Sequence, residues 1–193
     1  MAFSVVHLGD MIDELGEDKC QQLVANFSCP FDSDIEYFLK KKAIMLQNMS
    51  LSRTYLVYSS YKNANVLVCY FAIAFKVLNI RKRIIPSMRK KLTGGTANSI
   101  KEIPVFLIGQ LSKNYYDGLD KLQLITGEDL LRLAFQKIIN AQRITGGRII
   151  LVECRDSDNL INFYTKHGFS LFDKDENDGL LRFIRPISGI TVV

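Results

Sequence analysis

The chain has 193 residues, a length that fits a single domain over residues 1–193 and can bury a sizeable hydrophobic core. With 48% hydrophobic and 23% charged residues it has the composition of an ordinary globular protein, which excludes global disorder and collagen-like structure. Its longest uninterrupted apolar run, residues 66–75, is far shorter than the roughly 20 residues of a membrane helix. The opening residues carry no basic start before their short apolar stretch and soon reach Asp10, so no secretory signal and a cytoplasmic location are expected. Cys20, Cys29, Cys69 and Cys154 are widely scattered, and the histidines are His7 and His167. That spacing predicts no metal site and reduced, buried thiols.

The net charge of +5 is unevenly spread. Residues 76–91 hold Lys76, Arg81, Lys82, Arg83, Arg89, Lys90 and Lys91 with no acid among them, while the rest of the chain is slightly acidic. The whole basic surplus lies in one segment, which reads either as a footprint for a polyanion or as a solvated charged loop.

In chain order, residues 32–47 place Ile35, Phe38, Leu39, Ala43 and Leu46 at helical spacing behind a Ser/Asp start, which predicts one amphipathic helix. Residues 53–58 and 65–75 predict two strands joined by a turn over 59–63. A short helix is expected over 87–92, between Pro86 and the Gly94-Gly95 pair. The almost continuously apolar residues 103–111 predict a central strand buried on both faces. Thr126 caps a helix with Glu128 and Asp129 in its first turn and Leu131, Ala134, Phe135, Ile138 and Ile139 as its apolar stripe, stopped by Gly146 and Gly147. A strand over 148–154, a short helix begun by Ser157 and ended at Gly168, and strands over 169–172 and 180–184 complete an α/β pattern with a mixed sheet.

The segment from Phe163 and Tyr164 through His167, Gly168 and Phe169 resembles the Tyr-x-x-x-Gly-Phe signature of the GCN5-related N-acetyltransferases, the GNAT superfamily. Ile103-Pro104 leading to Gln110-Leu111-Ser112-Lys113-Asn114 is similar to the fourth strand of the toxin-type branch of that family, with Gln110 standing for its arginine. Phe27-Ser28-Cys29, then Phe38-Leu39 and Ala43, then Ser52-Arg53-Thr54-Tyr55 resemble the opening of the same branch. The resemblance covers about residues 27–172. It implies the GNAT fold, a mixed and splayed β-sheet flanked by helices, and an acetyl-CoA-dependent N-acetyltransferase.

On the resemblance, backbone groups of Leu111, Ser112 and Lys113 contact the pantetheine arm. Lys121, Ile125, Thr126 and Gly127 take the pyrophosphate, because helix N–H groups form an anion site. The family's glycine-rich turn is reduced here to Gly127. Ile125 replaces its first glycine and is expected to crowd the phosphates, and Glu128 and Asp129 to repel them. Tyr164 is the expected proton donor to the departing thiolate, its alternative being an ordinary core tyrosine. Glu102 and Glu153 read as strand-end carboxylates rather than as a general base, and His167 as a capping residue.

In the toxin-type branch the acceptor is aminoacyl-tRNA. The implied phosphate contacts are Arg81, Lys82, Arg83, Arg89, Lys90 and Lys91, and the implied partners include a neutralising antitoxin protein and a second copy in a homodimer. Two alternatives stay open at this point. One is a GNAT enzyme acting on a small amine or a protein N-terminus; the other is a non-catalytic GNAT-fold module that binds nucleic acid or protein.

Overall fold

A computed structural model describes residues 3–80, 84–95 and 100–191. Among them one seven-stranded mixed sheet runs in the order β1-β2-β3-β4-β5-β7-β6, where β1 is Phe3–His7, β2 Arg53–Tyr61, β3 Ala64–Asn79, β4 Glu102–Lys113, β5 Ile149–Cys154, β6 Ser170–Lys174 and β7 Leu181–Pro186. The expected α/β class with a mixed sheet is the observed one. The β4–β5 pairing is parallel over Phe106–Ile108 against Ile150–Val152, whereas the β1–β2, β2–β3, β5–β7 and β6–β7 ladders are antiparallel. No helix among the described residues is long and apolar enough to cross a membrane. The chain forms two compact units, residues 1–74 with 109–134 and residues 75–108 with 135–193.

The first unit opens with β1 and two short helices, α1 (Leu8–Leu15) and α2 (Glu17–Val24), separated by Gly16. Leu8 and Met11 of α1 and Cys20 and Val24 of α2 enter a core with Phe27, Leu39, Leu56 and Tyr70. The expected helix over 32–47 is interrupted: α3 (Ser33–Tyr37) and α4 (Ala43–Asn48) flank a π turn, Phe38–Lys42. The wider turn buries Leu39 and brings the Phe38 ring within 6.4 Å of the Tyr70 ring, while the Tyr70 hydroxyl donates to the Ile35 carbonyl at 2.6 Å. The β2–β3 connection is shorter than the expected turn over 59–63. Lys62 and Asn63 alone make it, both at positive φ, the two-residue geometry that matches the twist of a hairpin.

At the end of β4 the buried Asn114 fastens three segments together. Its side-chain amide donates to the Leu67 carbonyl at 2.9 Å, and its oxygen accepts from the Ser28 and Tyr116 backbone N–H groups, each at 3.0 Å. Its own N–H donates to the Val68 carbonyl at 2.8 Å. From there a 3-10 segment, Tyr116–Leu122, leads to α6 (Gly127–Thr145), of which residues 127–134 belong to this unit.

In the second unit α5 (Pro86–Thr93) starts with proline and ends at Gly94 in the left-handed region. Ile84, Met88 and Leu92, spaced by four, pack with Leu78, Val105, Ile149, Leu151 and Ile184. The expected two-sided burial of the central strand is partial, since Val105, Phe106 and Ile108 are buried but Glu102 and Pro104 are exposed. Gly147, at φ +106, lets β5 begin against the Phe106 ring, where an added Cβ would lie 2.7 Å from a ring carbon. Helix α7 (Asp158–Lys166) ends at His167, whose Nδ1 lies 2.7 Å from the Phe163 carbonyl, in keeping with the capping role expected of it.

The Asn114 clamp yields a prediction. Replacing Asn114 with Ala leaves two N–H groups and one carbonyl without their partner, and unpaired buried groups of this kind each cost about 1–3 kcal/mol. Urea unfolding of Asn114→Ala is expected to show a loss of about 3 kcal/mol, whereas Ile144→Ala, at a position 87% exposed near the end of α6, changes stability by less than about 0.5 kcal/mol.

Candidate active site

The residues expected at a coenzyme A site lie together in the first unit. Leu111 and Lys113 are half-buried at the end of β4, and Lys113 shares a small cavity with Asn114, Val68, Leu119, Asp120, Leu124 and Ile125. The Ser112 side chain turns inward, its hydroxyl donating to the Lys113 carbonyl at 2.9 Å and lying 3.5 Å from the Cys29 sulfur. Any contact of Ser112 with a ligand is therefore through its backbone. Lys121 is exposed on the 3-10 segment.

The Ile125 side chain is 5% exposed and lines the small cavity it shares with Lys113. Gln123, at φ +48, makes the backbone reversal in a turn that has lost its glycines. Thr126 and Asp129 form a reciprocal cap: the Asp129 N–H donates to the Thr126 hydroxyl oxygen at 3.0 Å, and the Asp129 carboxylate accepts from the Thr126 N–H at 3.1 Å and from its hydroxyl at 2.6 Å. These bonds, with Arg132 3.6 Å away, hold the Asp129 carboxyl below its usual range. The Asp129 carboxylate is thus engaged by the cap and held in its charged form, with Glu128 beside it in the first turn, and among the described residues no hydrogen bond engages the Gly127 N–H.

Tyr164 lies in the second unit on α7. It is 7% exposed and packs edge-on to Phe163 and Phe169, with Phe183 at 6.0 Å. Burial, and secondarily the nearby Cys154, push its phenol well above the ordinary value, so it keeps its proton throughout the neutral range. Its hydroxyl makes no hydrogen bond to the described residues. The tyrosine is a core residue whose protonated hydroxyl has no partner among the described residues.

The four cysteines are buried and free, and burial raises the Cys154 thiol to about 11 and the Cys20 and Cys69 thiols as well. Protonated thiols at these three positions are poor nucleophiles. Glu153 has a structural partner: Lys76 Nζ lies 2.6 and 2.8 Å from its two oxygens. That pair removes Glu153 as a base and removes Lys76 from the expected cationic footprint. Arg81, Lys82 and Arg83 lie outside the described residues. Arg89 is half-buried with its guanidinium 3.4 Å from the Ile100 carbonyl, whereas Lys90 and Lys91 are exposed, Lys91 donating to the Ser170 hydroxyl at 3.0 Å.

Sequence reasoning missed Asn114 as the fastening point of β4 and Tyr70 as the partner of Gln110, whose side-chain oxygen lies 3.3 Å from the Tyr70 hydroxyl. The signal available for Asn114 was a polar residue closing an apolar strand.

No protein-family model matches the sequence, and no curated protein matches it. Solved structures do. A tyrosine-to-phenylalanine mutant of KacT superposes with a TM-score of 0.67 at 18% identity, covering 97% of this chain and 96% of that one. AtaT complexed with acetyl-methionyl-tRNAfMet gives 0.64 at 19% identity over 94% of each chain. A tyrosine-to-phenylalanine mutant of the AtaT toxin, bound to the C-terminus of the antitoxin AtaR and to acetyl-CoA, gives 0.62 at 16% identity over 96% of this chain and 93% of that one. At these identities the likeness is one of fold, and it runs nearly the full length: the chain has the GNAT fold in the form found in the toxins AtaT and KacT.

Proposed function

We propose that the protein is an acetyl-CoA-dependent N-acetyltransferase whose acceptor is the α-amine of an aminoacyl-tRNA, acting in the cytoplasm and neutralised by an antitoxin protein. The observation that carries the reading is the nearly full-length fold shared with a toxin solved with acetyl-methionyl-tRNA and, in another structure, with acetyl-CoA and an antitoxin segment. The first unit supports it: the end of β4 and the capped start of α6 carry backbone groups of the kind a pantetheine and a pyrophosphate require, and the Ile125 side chain is buried. Lys121 supplies exposed charge beside that turn.

In the reaction the neutral amine attacks the thioester carbonyl, a C–N bond forms, the C–S bond breaks, and the sulfur takes a proton while the nitrogen gives one up. Tyr164 is the proposed source of the sulfur's proton. A phenol is protonated at neutral pH and so has the proton in place; burial raises its pKa further, which makes transfer to the thiolate depend on how closely the hydroxyl is positioned. Among the described residues no general base is identified, which suits an α-amine, whose ordinary pKa of about 7.7–8.0 leaves part of it neutral at pH 7. The Asp129 carboxylate at the helix start favours one second reading, a GNAT-fold binding module without acetyl transfer.

Transfer of labelled acetyl groups from acetyl-CoA to charged tRNA tests the proposal. Activity is expected in the wild type, and Tyr164→Phe is expected to lower kcat by about 100-fold or more with little change in acetyl-CoA affinity, since a positioned proton donor contributes on that scale. Equal turnover in the two proteins would leave Tyr164 a packing residue. Stability carries an independent signature of its raised pKa. The folded state is unaffected below about pH 10, where tyrosine in the unfolded chain is still protonated, and loses stability as pH rises from there towards the folded-state value. Melting temperatures between pH 8 and pH 11 are therefore expected to fall less steeply in Tyr164→Phe.

Lys76 separates structural charge from binding charge. Lys76→Met is expected to cost about 1–2 kcal/mol in urea unfolding, because it leaves Glu153 partly buried without its cation, and to leave the salt dependence of tRNA binding unchanged.

A further inference from the structure

We propose that Arg148, which lies outside the basic run, joins Lys90 and Lys91 to form a site for RNA phosphates at the C-terminal turn of α5; the proposal rests on the reading of tRNA as acceptor and names where the nucleic acid is held. The Arg148 guanidinium lies directly against Gly94: a Cβ added there would stand 2.9 Å from both its central carbon and one terminal nitrogen. The glycine leaves room for the planar fork to lie on the helix end. The stem of Lys90 packs beside Gly95, where an added Cβ would be 3.7 Å from Lys90 Cγ. Lys91 reaches Ser170 at the start of β6.

The arginines of this unit have different fates. Arg182 spends its donors on Asp173 and Asp175, at 2.5–3.0 Å, and Arg185 donates to the His167 carbonyl and covers the Phe135 ring. Arg148 is exposed, and its donors take no partner among the described residues. A guanidinium held on a glycine with its fork uncommitted suits bidentate binding of a phosphate.

The surrounding charge has one sign in sequence. Residues 77–101 contain no acid, and neither do residues 135–152, which hold Lys137, Arg143 and Arg148. Gly94 and Arg148 are where these two acid-free segments meet. Their joint field favours an extended polyanion, for which several phosphates are bound without base-specific contacts.

Anisotropy titration of deacylated tRNA at salt concentrations from about 50 to about 200 mM tests the site, with acetyl-CoA calorimetry and thermal melting run on the same proteins. Arg148→Gln is expected to weaken tRNA binding several-fold and to flatten the plot of log K against log salt by about 0.7–0.9, the share of one phosphate contact. Arg148→Lys is expected to keep the slope and lose part of the affinity, because it retains the charge without the fork. Lys90→Gln, at an exposed position, is expected to flatten the slope equally and serves if Arg148→Gln does not fold. An unchanged slope in Arg148→Gln and Lys90→Gln overturns the proposal, as does a wild type that binds tRNA without salt dependence or not at all. A fall in melting temperature with intact tRNA binding would make Arg148 a helix-end counter-charge, and weakened acetyl-CoA binding with intact tRNA binding would assign the site to the coenzyme's phosphates; either result overturns it. Failure of wild-type acetyl-CoA binding with these slopes intact would instead sink the transferase reading alone.

Discussion

Asn114 is the constraint on which the candidate site depends. A polar side chain at 4% exposure is tolerable only if its hydrogen-bonding groups are used, and here they are used on the backbone of three different segments. Burying a Phe or Leu in the surrounding core contributes about 2 kcal/mol, comparable to the cost of one unpaired amide, so a half-satisfied clamp would cancel the packing around it. Satisfied, it fixes β3, the strand end that follows Gln110 and the Ser28 turn in one arrangement. The path from Tyr116 to the Thr126 cap starts from that fixed point.

Function in this reading comes from which polar groups folding consumes and which it leaves. Glu153 and Lys76 consume each other, Asp129 is held by the cap of α6, and Asp173 and Asp175 hold Arg182. The Gly127 N–H, the Tyr164 hydroxyl and the Arg148 guanidinium are left over among the described residues, and each has the chemistry of one part of an acetyl transfer to RNA: an anion donor, a proton source and a phosphate contact. Tyr164 is buried among Phe163, Phe169 and Phe183, and the desolvation that accompanies that packing raises its phenol above the ordinary value.

The long periodic elements were legible in the sequence. The stripe from Leu131 to Ile139 and the Gly146 stop define α6, and the apolar run from Ile103 defines the central strand, because local pattern and tertiary burial agree there. Helix α1 has a readable signal, Leu8, Met11, Ile12 and Leu15 at helical spacing followed by Gly16. The π turn and the two-residue hairpin were not readable: nothing local marks Lys62 for positive φ or sets the Tyr70 hydroxyl against the Ile35 carbonyl. The site resisted for the same reason. Asn114 bonds residues 86 and 47 positions away, Lys76 meets Glu153 across 77, and Arg148 lies against Gly94 across 54, so charge counted along the chain shows neither the pairing of Lys76 nor the place of Arg148.

The central proposal is that the capped start of α6 and the end of β4 take acetyl-CoA although the turn between them has Gly127 as its one glycine over residues 122–127. Calorimetric titration of the wild-type protein with acetyl-CoA tests it most directly. The account predicts saturable one-to-one binding well below millimolar concentration, weakened when Gly127 is replaced by Glu, whose carboxylate would meet the phosphates. No heat of binding at millimolar acetyl-CoA, from a protein shown by its melting transition to be folded, would contradict it.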